Sequence, residues 1–398
     1  MKRISYSPLI KHWNLDQSVT FLNHGSFGAC PIPILEKQNE YRMRLEQEPV
    51  KFMVRELENL IWESKTALGN FIHAKPEDFI FISNATTGVN TVLSSLRFEE
   101  GDELLTTNHC YGACLNAAKW FCEKAKANVV VANVPFPITS AAEVTEAILK
   151  CVTPKTKLVM IDHITSPTGI IFPVKEIVTA LSERGIDCLV DGAHAPGMLD
   201  LNLEEIGAAY YTGNCHKWIC SPKGSALLHV RKDKQHLIHP ISVSHNYDVP
   251  ESNQKQWSSN FFWPGTNDYS SYLCVKDAIA FMGNLFEGGW KDLRAHNHDL
   301  ALNGRKMLAE KMNTPLPAPD EMIGSLANIF LSPTKLPAYG FNYIDLLQNK
   351  LWDQFKIEVP VIIWSRNEPR LWFRISGQCY NTMEQYEYLG EALSELIK

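Results

Sequence analysis

The chain has 398 residues, 38 Lys and Arg against 44 Asp and Glu, a formal net charge of −6, and 45% hydrophobic residues. That length exceeds one ordinary domain and suits a large domain with a smaller one. The mildly acidic balance, with no dense Lys/Arg run, argues against nucleic acid or a membrane surface as a partner. The first twenty residues carry scattered charge and no apolar leader core, and no stretch suits a bilayer span, so a cytoplasmic protein is expected. Ten cysteines form no Cys-x-x-Cys pair, and several, such as Cys122 and Cys188, fall in apolar runs. They read as buried reduced thiols, not as disulfides or a metal site.

In chain order, residues 33 to 72 read as helical with long charged faces, interrupted at Pro49. From 79 to 230 short apolar strands alternate with helices: Phe79–Ile82, Glu103–Thr106, Val129–Ala132, Leu158–Asp162, Asp187–Asp191 and Ala208–Thr212, with a further strand at Ala226–Val230. The alternation predicts an α/β fold whose mostly parallel sheet is covered by helices on both faces. Residues 231 to 266 lack periodicity and read as a long functional loop region, in which His245, Tyr247 and Trp257 would shape a substrate pocket. Helices are expected over 269–286 and 290–312, followed by a smaller α+β portion. The division expected is an N-terminal segment, 1–20, packing on the small domain, a large domain, 21–285, and a small C-terminal domain, 286–398.

Two motifs carry the chemistry. The apolar run Asp187-Cys188-Leu189-Val190-Asp191 reads as a buried strand ending in a carboxylate, followed by the small-residue turn Gly192-Ala193-His194-Ala195-Pro196-Gly197. Functional groups in open α/β sheets gather at such carboxyl ends. The next strand leads into Gly213-Asn214-Cys215-His216-Lys217-Trp218, which wedges a Lys between two strands. Such an Asp and Lys are what a pyridoxal phosphate (PLP) enzyme needs. The amine forms a Schiff base with the cofactor aldehyde, and the carboxylate keeps the ring nitrogen protonated so that the ring can act as an electron sink. Asn84-Ala85-Thr86-Thr87-Gly88 follows a strand and opens a helix, where free N–H groups and hydroxyls make a phosphate cradle or, alternatively, an ordinary helix cap. Neither a Gly-x-Gly-x-x-Gly nor a Walker-type lysine motif is present, so a dehydrogenase or P-loop enzyme fits poorly.

At these motifs the chain resembles the class V, fold-type I PLP enzymes nearly end to end, and within them the isopenicillin N epimerase-like branch. The resemblance rests on Phe21-Leu22-Asn23-His24-Gly25-Ser26-Phe27-Gly28, Asn84–Asn90, Asp191–Gly197, Tyr211–Trp218, Trp263-Pro-Gly-Thr266-Asn and Arg374–Thr382. It implies cofactor contacts from Ala85, Thr86, Thr87, Thr168, Asp191, His194, Asn214, His216 and Lys217. It also implies a ring-stacking residue, Tyr111 with His109 as the fallback. Gly265-Thr266 matches an element that reaches the phosphate of the neighbouring subunit, which implies a homodimer with shared sites. Arg374, in an apolar strand, is the candidate for bidentate capture of a substrate α-carboxylate, against the alternative of an internal ion pair. Asn23 and His24 lie in a turn that the family brings over the substrate, where they would read its distal part or merely shape the turn.

The reaction expected is removal of an α-proton by the freed Lys217 amine, with Asp191 and His194 in support. An epimerase is the leading reading, a C–S lyase on a cysteine conjugate or sulfoxide the alternative, and an aminotransferase third; a non-catalytic PLP-fold sensor is the reading outside enzymes. The stretch Val359–Arg366 lacks the nucleophilic Cys that cysteine desulfurases place before the carboxylate-binding Arg, and Cys379 lies on its other side, so persulfide transfer is not expected.

Overall fold

The computed structural model describes residues 4–247, 257–331, 346–364 and 370–396. Part of the 231–266 loop (248–256) and the end of the Val359–Arg366 stretch (from 365) lie outside them. Strands β2 (Phe79–Ile82), β3 (Glu103–Thr107), β4 (Asn128–Ala132), β5 (Thr156–Asp162), β6 (Asp187–Asp191), β7 (Tyr210–Asn214) and β8 (Ala226–Val230) form one seven-stranded sheet in the order β2-β8-β7-β6-β5-β3-β4. Only β8 runs antiparallel to its neighbours, and the rest of the sheet is parallel. Helices cover both faces, so the interiors of β5 and β6 are continuous apolar runs instead of alternating. In β6, Cys188, Leu189 and Val190 are all buried.

The pleat sorts these side chains between two layers. Leu105, Val159, Ile161, Cys188, Val190 and Tyr211 enter the larger core, and Leu104, Leu158, Met160, Leu189 and Tyr210 the smaller. Helices α3 (Ala85–Ser95) and α4 (Gly112–Ala125) line the second layer through Val89, Val92, Cys114 and Ala118. By parity, the terminal residues Asp162 and Asp191 share that face, and the parallel register sets them directly side by side. Helix α6 (Val174–Ser182) covers the other face by the amphipathic spacing Val174, Ile177, Val178, Leu181.

The helical region after residue 32 contains α1 (Ile32–Gln47) and, after a break at Glu48, a helix that restarts at Pro49, passes through a π-helical turn at Phe52–Glu56 and continues as α2 (Leu57–Ile72). Proline has no N–H to give to the preceding turn, so the break falls there. Both pack on α7 (Ser270–Gly283). The long helix α8 (Trp290–Met312) leads to an antiparallel three-stranded sheet of β9 (Leu326–Leu331), β11 (Val361–Trp364) and β12 (Arg370–Ser376) in the order β11-β12-β9, closed by α10 (Met383–Leu396). The start of the chain is tied to this C-terminal portion: β1 (Thr20–Phe21) pairs with β10 (Ile357–Glu358), and Ser7 N–H donates to Tyr380 O at 3.0 Å. Between β8 and α7 only short 3-10 turns form among the described residues, at Lys232–Leu237 and Trp257–Phe261. No described helix is long and apolar enough to cross a membrane.

Candidate active site

Asp162, Asp191 and Asn214 converge at the carboxyl end of the parallel strands, where α3 begins. Asp191 is buried, and its carboxylate accepts from Ala193 N–H at 3.0 Å and from the Cys114 thiol at 3.2 Å. Burial raises its pKa, while those two donors and Lys217 pull it back. Asp162 is raised well above the carboxylate range by burial first and by the Asp191 charge second. Its Oδ2 has no hydrogen-bond partner. Two adjacent carboxyls in one low-dielectric site do not both ionise. The donors around Asp191 make it the charged member and Asp162 the protonated one.

Lys217 follows β7 and projects back toward this pair. Burial lowers its amine to a pKa of about 7; Arg374 adds to the lowering and Asp191 opposes it. Its Nζ lies 3.0 Å from His194 Nε2, and His194 Nδ1 lies 3.4 Å from Trp218 Nε1. Indole N–H only donates, so Nδ1 of His194 accepts. Burial drives the His194 pKa well below the ordinary imidazole value, and the neutral ring therefore carries its proton on Nε2. Nε2–H then donates to the lone pair of an uncharged Lys217 amine. The geometry holds a free base.

At the start of α3, Asn84 caps the helix by accepting from Thr87 N–H at 2.9 Å, and Asn214 Oδ1 accepts from Ala85 N–H at 2.8 Å. Thr87 Oγ1 also bonds to Asn84 and Ser83. The expected cradle is thus partly occupied by its own cap, and Thr86 is the member whose hydroxyl has no described bond. His216 follows Asn214 by two residues; its Nδ1–H donates to Ser225 O at 2.9 Å, and burial lowers its pKa to about 4, leaving Nε2 as a neutral acceptor edge.

Arg374 is buried in β12 with no carboxylate within ion-pair reach among the described residues. Nη1 donates to Ser166 O, Nη2 lies 3.3 Å from Ser26 Oγ, and Nε has no partner. Burial lowers its pKa to about 10. A buried guanidinium without an anion is costly, and the internal ion pair weighed as the alternative is not formed among the described residues.

Several expectations are altered. His109 does not face the cleft: it is fully buried, edge-on to Phe136 and Phe172 at 5.7 and 5.6 Å, with Nδ1 2.7 Å from Thr168 Oγ1. Thr168 spends its hydroxyl on His109 and on Thr165 at 2.6 Å. Tyr111, by contrast, is 45% exposed at the foot of α4. Asn23 and His24 are buried and bonded within the protein: Asn23 Nδ2 donates to Glu358 at 3.0 Å, and both His24 ring nitrogens have partners. Thr266 is exposed in the bend before α7. Sequence reasoning missed Asp162, Cys114, Ser26 and Ser166. Asp162 had a readable signal, since it ends an apolar strand as Asp191 does.

An aminotransferase class-V family model matches residues 29–335. The chain is 31% identical to an L-cysteine desulfhydrase of Arabidopsis thaliana, over 96% of this chain and 88% of that one. It is 32% identical to an isopenicillin N epimerase of Amycolatopsis lactamdurans, over 97% of each. In structure it resembles the cystine C–S lyase C-DES, solved with its reaction product cysteine persulfide, at a TM-score of 0.77, 21% identity, and coverage of 95% of this chain and 97% of that one. The chain belongs to the aminotransferase class-V family, whose cofactor is pyridoxal phosphate. Its residues fit that group: a charged buried carboxylate, an uncharged amine, and a helix N-terminus beside a neutral imidazole lie together at one sheet edge.

Proposed function

We propose that this protein is a pyridoxal phosphate-dependent C–S lyase acting on a cysteine-type amino acid with a free α-carboxylate. The carrying observation is that Lys217, its pKa lowered to about 7, lies against the neutral His194 ring and next to an Arg374 with no anion among the described residues. Epimerisation, the leading expectation from sequence, needs a second acid on the opposite face, whereas β-elimination needs one base. The desulfhydrase relatives support this order.

When bound, pyridoxal phosphate supplies an electron sink conjugated to the substrate nitrogen, which makes the α-proton acidic. Asp191 would keep negative charge against the ring nitrogen. Thr86, with the N-terminus of α3, Asn214 and His216, would hold the phosphate. Arg374 takes the α-carboxylate in a bidentate grip, which orients Cα–H toward Lys217. The Lys217 amine accepts that proton; the electron pair it leaves expels the β-sulfur as a thiolate, and the thiolate takes a proton from Lys217. The remaining enamine gains water to give pyruvate and ammonium. Tyr111, exposed at the mouth and close enough to influence Arg374, favours epimerisation instead, as the epimerase relatives do, since its hydroxyl could deliver a proton from the far side.

A homodimer with shared sites belongs to the same reading. Phe27 is 75% exposed in the turn beside Arg374, and Leu35, Met43, Val50 and Val54 expose further apolar surface along the next helices. Such surface at a site mouth suits a second subunit, whose Thr266 would complete the phosphate contacts.

The test supplies the cofactor-loaded protein with L-cysteine, cystine and cysteine conjugates in deuterated water. Equimolar pyruvate and released sulfur product are expected. Recovery of both enantiomers with deuterium at Cα, and no pyruvate, would reassign the enzyme as an epimerase.

A further inference from the structure

The segment Asn23–Gly28 lies flat on the back of the Lys217 peptide. His24 Nε2 is 2.9 Å from Lys217 O, and Nδ1 is 2.8 Å from the Tyr380 hydroxyl. A carbonyl can only accept, so Nε2 carries the proton, and in a buried neutral ring Nδ1 accepts from Tyr380 O–H. Gln378 Nε2 also approaches His24 Nε2, at 3.2 Å. The carbonyl is the nearer partner, and the amide N–H has Cys220 Sγ at 3.8 Å as its other acceptor. Gln378 cannot simply flip, because its Oε1 accepts from Cys379 N–H at 2.8 Å and from Asn297 at 3.0 Å.

Two backbone features tighten the contact. Lys217 O also accepts from Cys220 N–H at 3.2 Å, in a turn that holds Cys220 at φ +61°, a region β-carbon-bearing residues seldom adopt. Gly28 sits at φ +71°, and a Cβ there would meet His216 O at 2.2 Å and Lys217 Cα at 3.0 Å. No side chain fits between the segment and the lysine. The same segment reaches the carboxylate receptor through Ser26, 3.3 Å from Arg374.

We propose that His24 is a positioning residue for Lys217: tethered by Tyr380, it fixes the Lys217 carbonyl from behind so that the amine stays directed at the reacting site. The proposal rests on the reading of Lys217 as the amine that carries the cofactor. It assigns the Asn-His-Gly segment to the lysine's backbone and not to substrate.

The test follows covalent capture of added pyridoxal phosphate by cofactor-free, full-length protein through its absorbance, then fixes the adduct with borohydride and maps it by peptide mass. His24→Leu is expected to slow capture about 10-fold with the label still on Lys217. His24→Gln, whose amide can donate to the same carbonyl, is expected to return to within about 3-fold of the parent protein. Capture by His24→Leu at the parent rate, or equal slowing in the Gln and Leu variants, would overturn the proposal. If His24→Leu does not fold, Tyr380→Phe decides: it keeps the ring but removes the tether, an about 3-fold loss is expected, and an unchanged rate overturns the proposal. A label on another lysine in the parent protein would instead overturn the functional reading, and this proposal with it.

Discussion

At the scale of single residues, the site is built from two proton inventories. In one, Asp162 keeps its proton so that Asp191 can remain charged; in the other, Trp218 selects the His194 tautomer that leaves Lys217 uncharged. The Lys217 balance has a sign that can be measured. Burial and Arg374 lower its pKa from 10.5 to about 7, while Asp191 raises it. The folded protein therefore lacks, above pH 7, a proton that the unfolded chain keeps up to about 10.4, so this group makes stability rise with pH across that window. Capture of pyridoxal phosphate needs the free amine. Its rate should rise with pH through a midpoint near 7 in the cofactor-free protein. Arg374→Met should move that midpoint up and Asp191→Asn should move it down. Shifts in one common direction would mean that these residues act through folding and not through charge on Lys217.

At the scale of elements, the site depends on how closely α3 approaches the sheet. Gly88 permits that approach, since a Cβ there would meet Thr212 Oγ1 at 2.3 Å and Ile82 Cδ1 at 2.8 Å. Gly88→Ala should therefore cost about 1–3 kcal/mol of stability in urea unfolding, because the helix must lift off β7, and should loosen cofactor binding as well. Thr86→Ala, at the half-buried helix start, should leave stability within about 0.5 kcal/mol while weakening cofactor retention roughly 10-fold. Equal retention by Thr86→Ala and the parent would leave α3 an ordinary capped helix. The elements themselves were largely legible in the sequence, because β2, β6 and β8 are apolar runs bounded by polar or small residues, and Trp290–Met312 is a long uninterrupted helix. The sequence placed β7 two residues too early, at Ala208. Gly213 and Asn214 fall beyond the strand expected from sequence, yet they continue the ladder with Leu227 and Ala226 because buried pairing overrides their weak strand propensity. The inward turn of His109 and the tether of His24 were not legible. His109 bonds to Thr168 across 59 positions and His24 to Lys217 across 193, and local periodicity says nothing about such separations.

At the scale of the whole molecule, the described chain brings Asp191, His194, Lys217 and Arg374 together and leaves Thr266 exposed in the bend before α7. An exposed Thr266 would suit an element that works in a partner's site, and the exposed Phe27 would give such a partner a surface to cover. A shared site has a consequence that an isolated one lacks. Lys217→Ala destroys capture in its own site but leaves Thr266 intact for its partner. Thr266→Ala keeps Lys217 but deprives its partner of a phosphate contact. Neither variant dimer then holds one complete site, whereas a mixed dimer assembles one: Lys217 from the Thr266→Ala chain and Thr266 from the Lys217→Ala chain. Co-expression of the two chains, carrying different affinity tags, followed by tandem purification isolates that mixed species. Unreduced cofactor, followed by equilibrium dialysis, should be retained at about one site per mixed dimer with the affinity of the parent protein. If the retained cofactor has instead the weaker affinity of the Thr266→Ala homodimer, Thr266 serves its own chain or none. A parent protein that sediments as a monomer would remove the shared site altogether, and would leave the apolar surface around Phe27 to be covered by something other than a second copy.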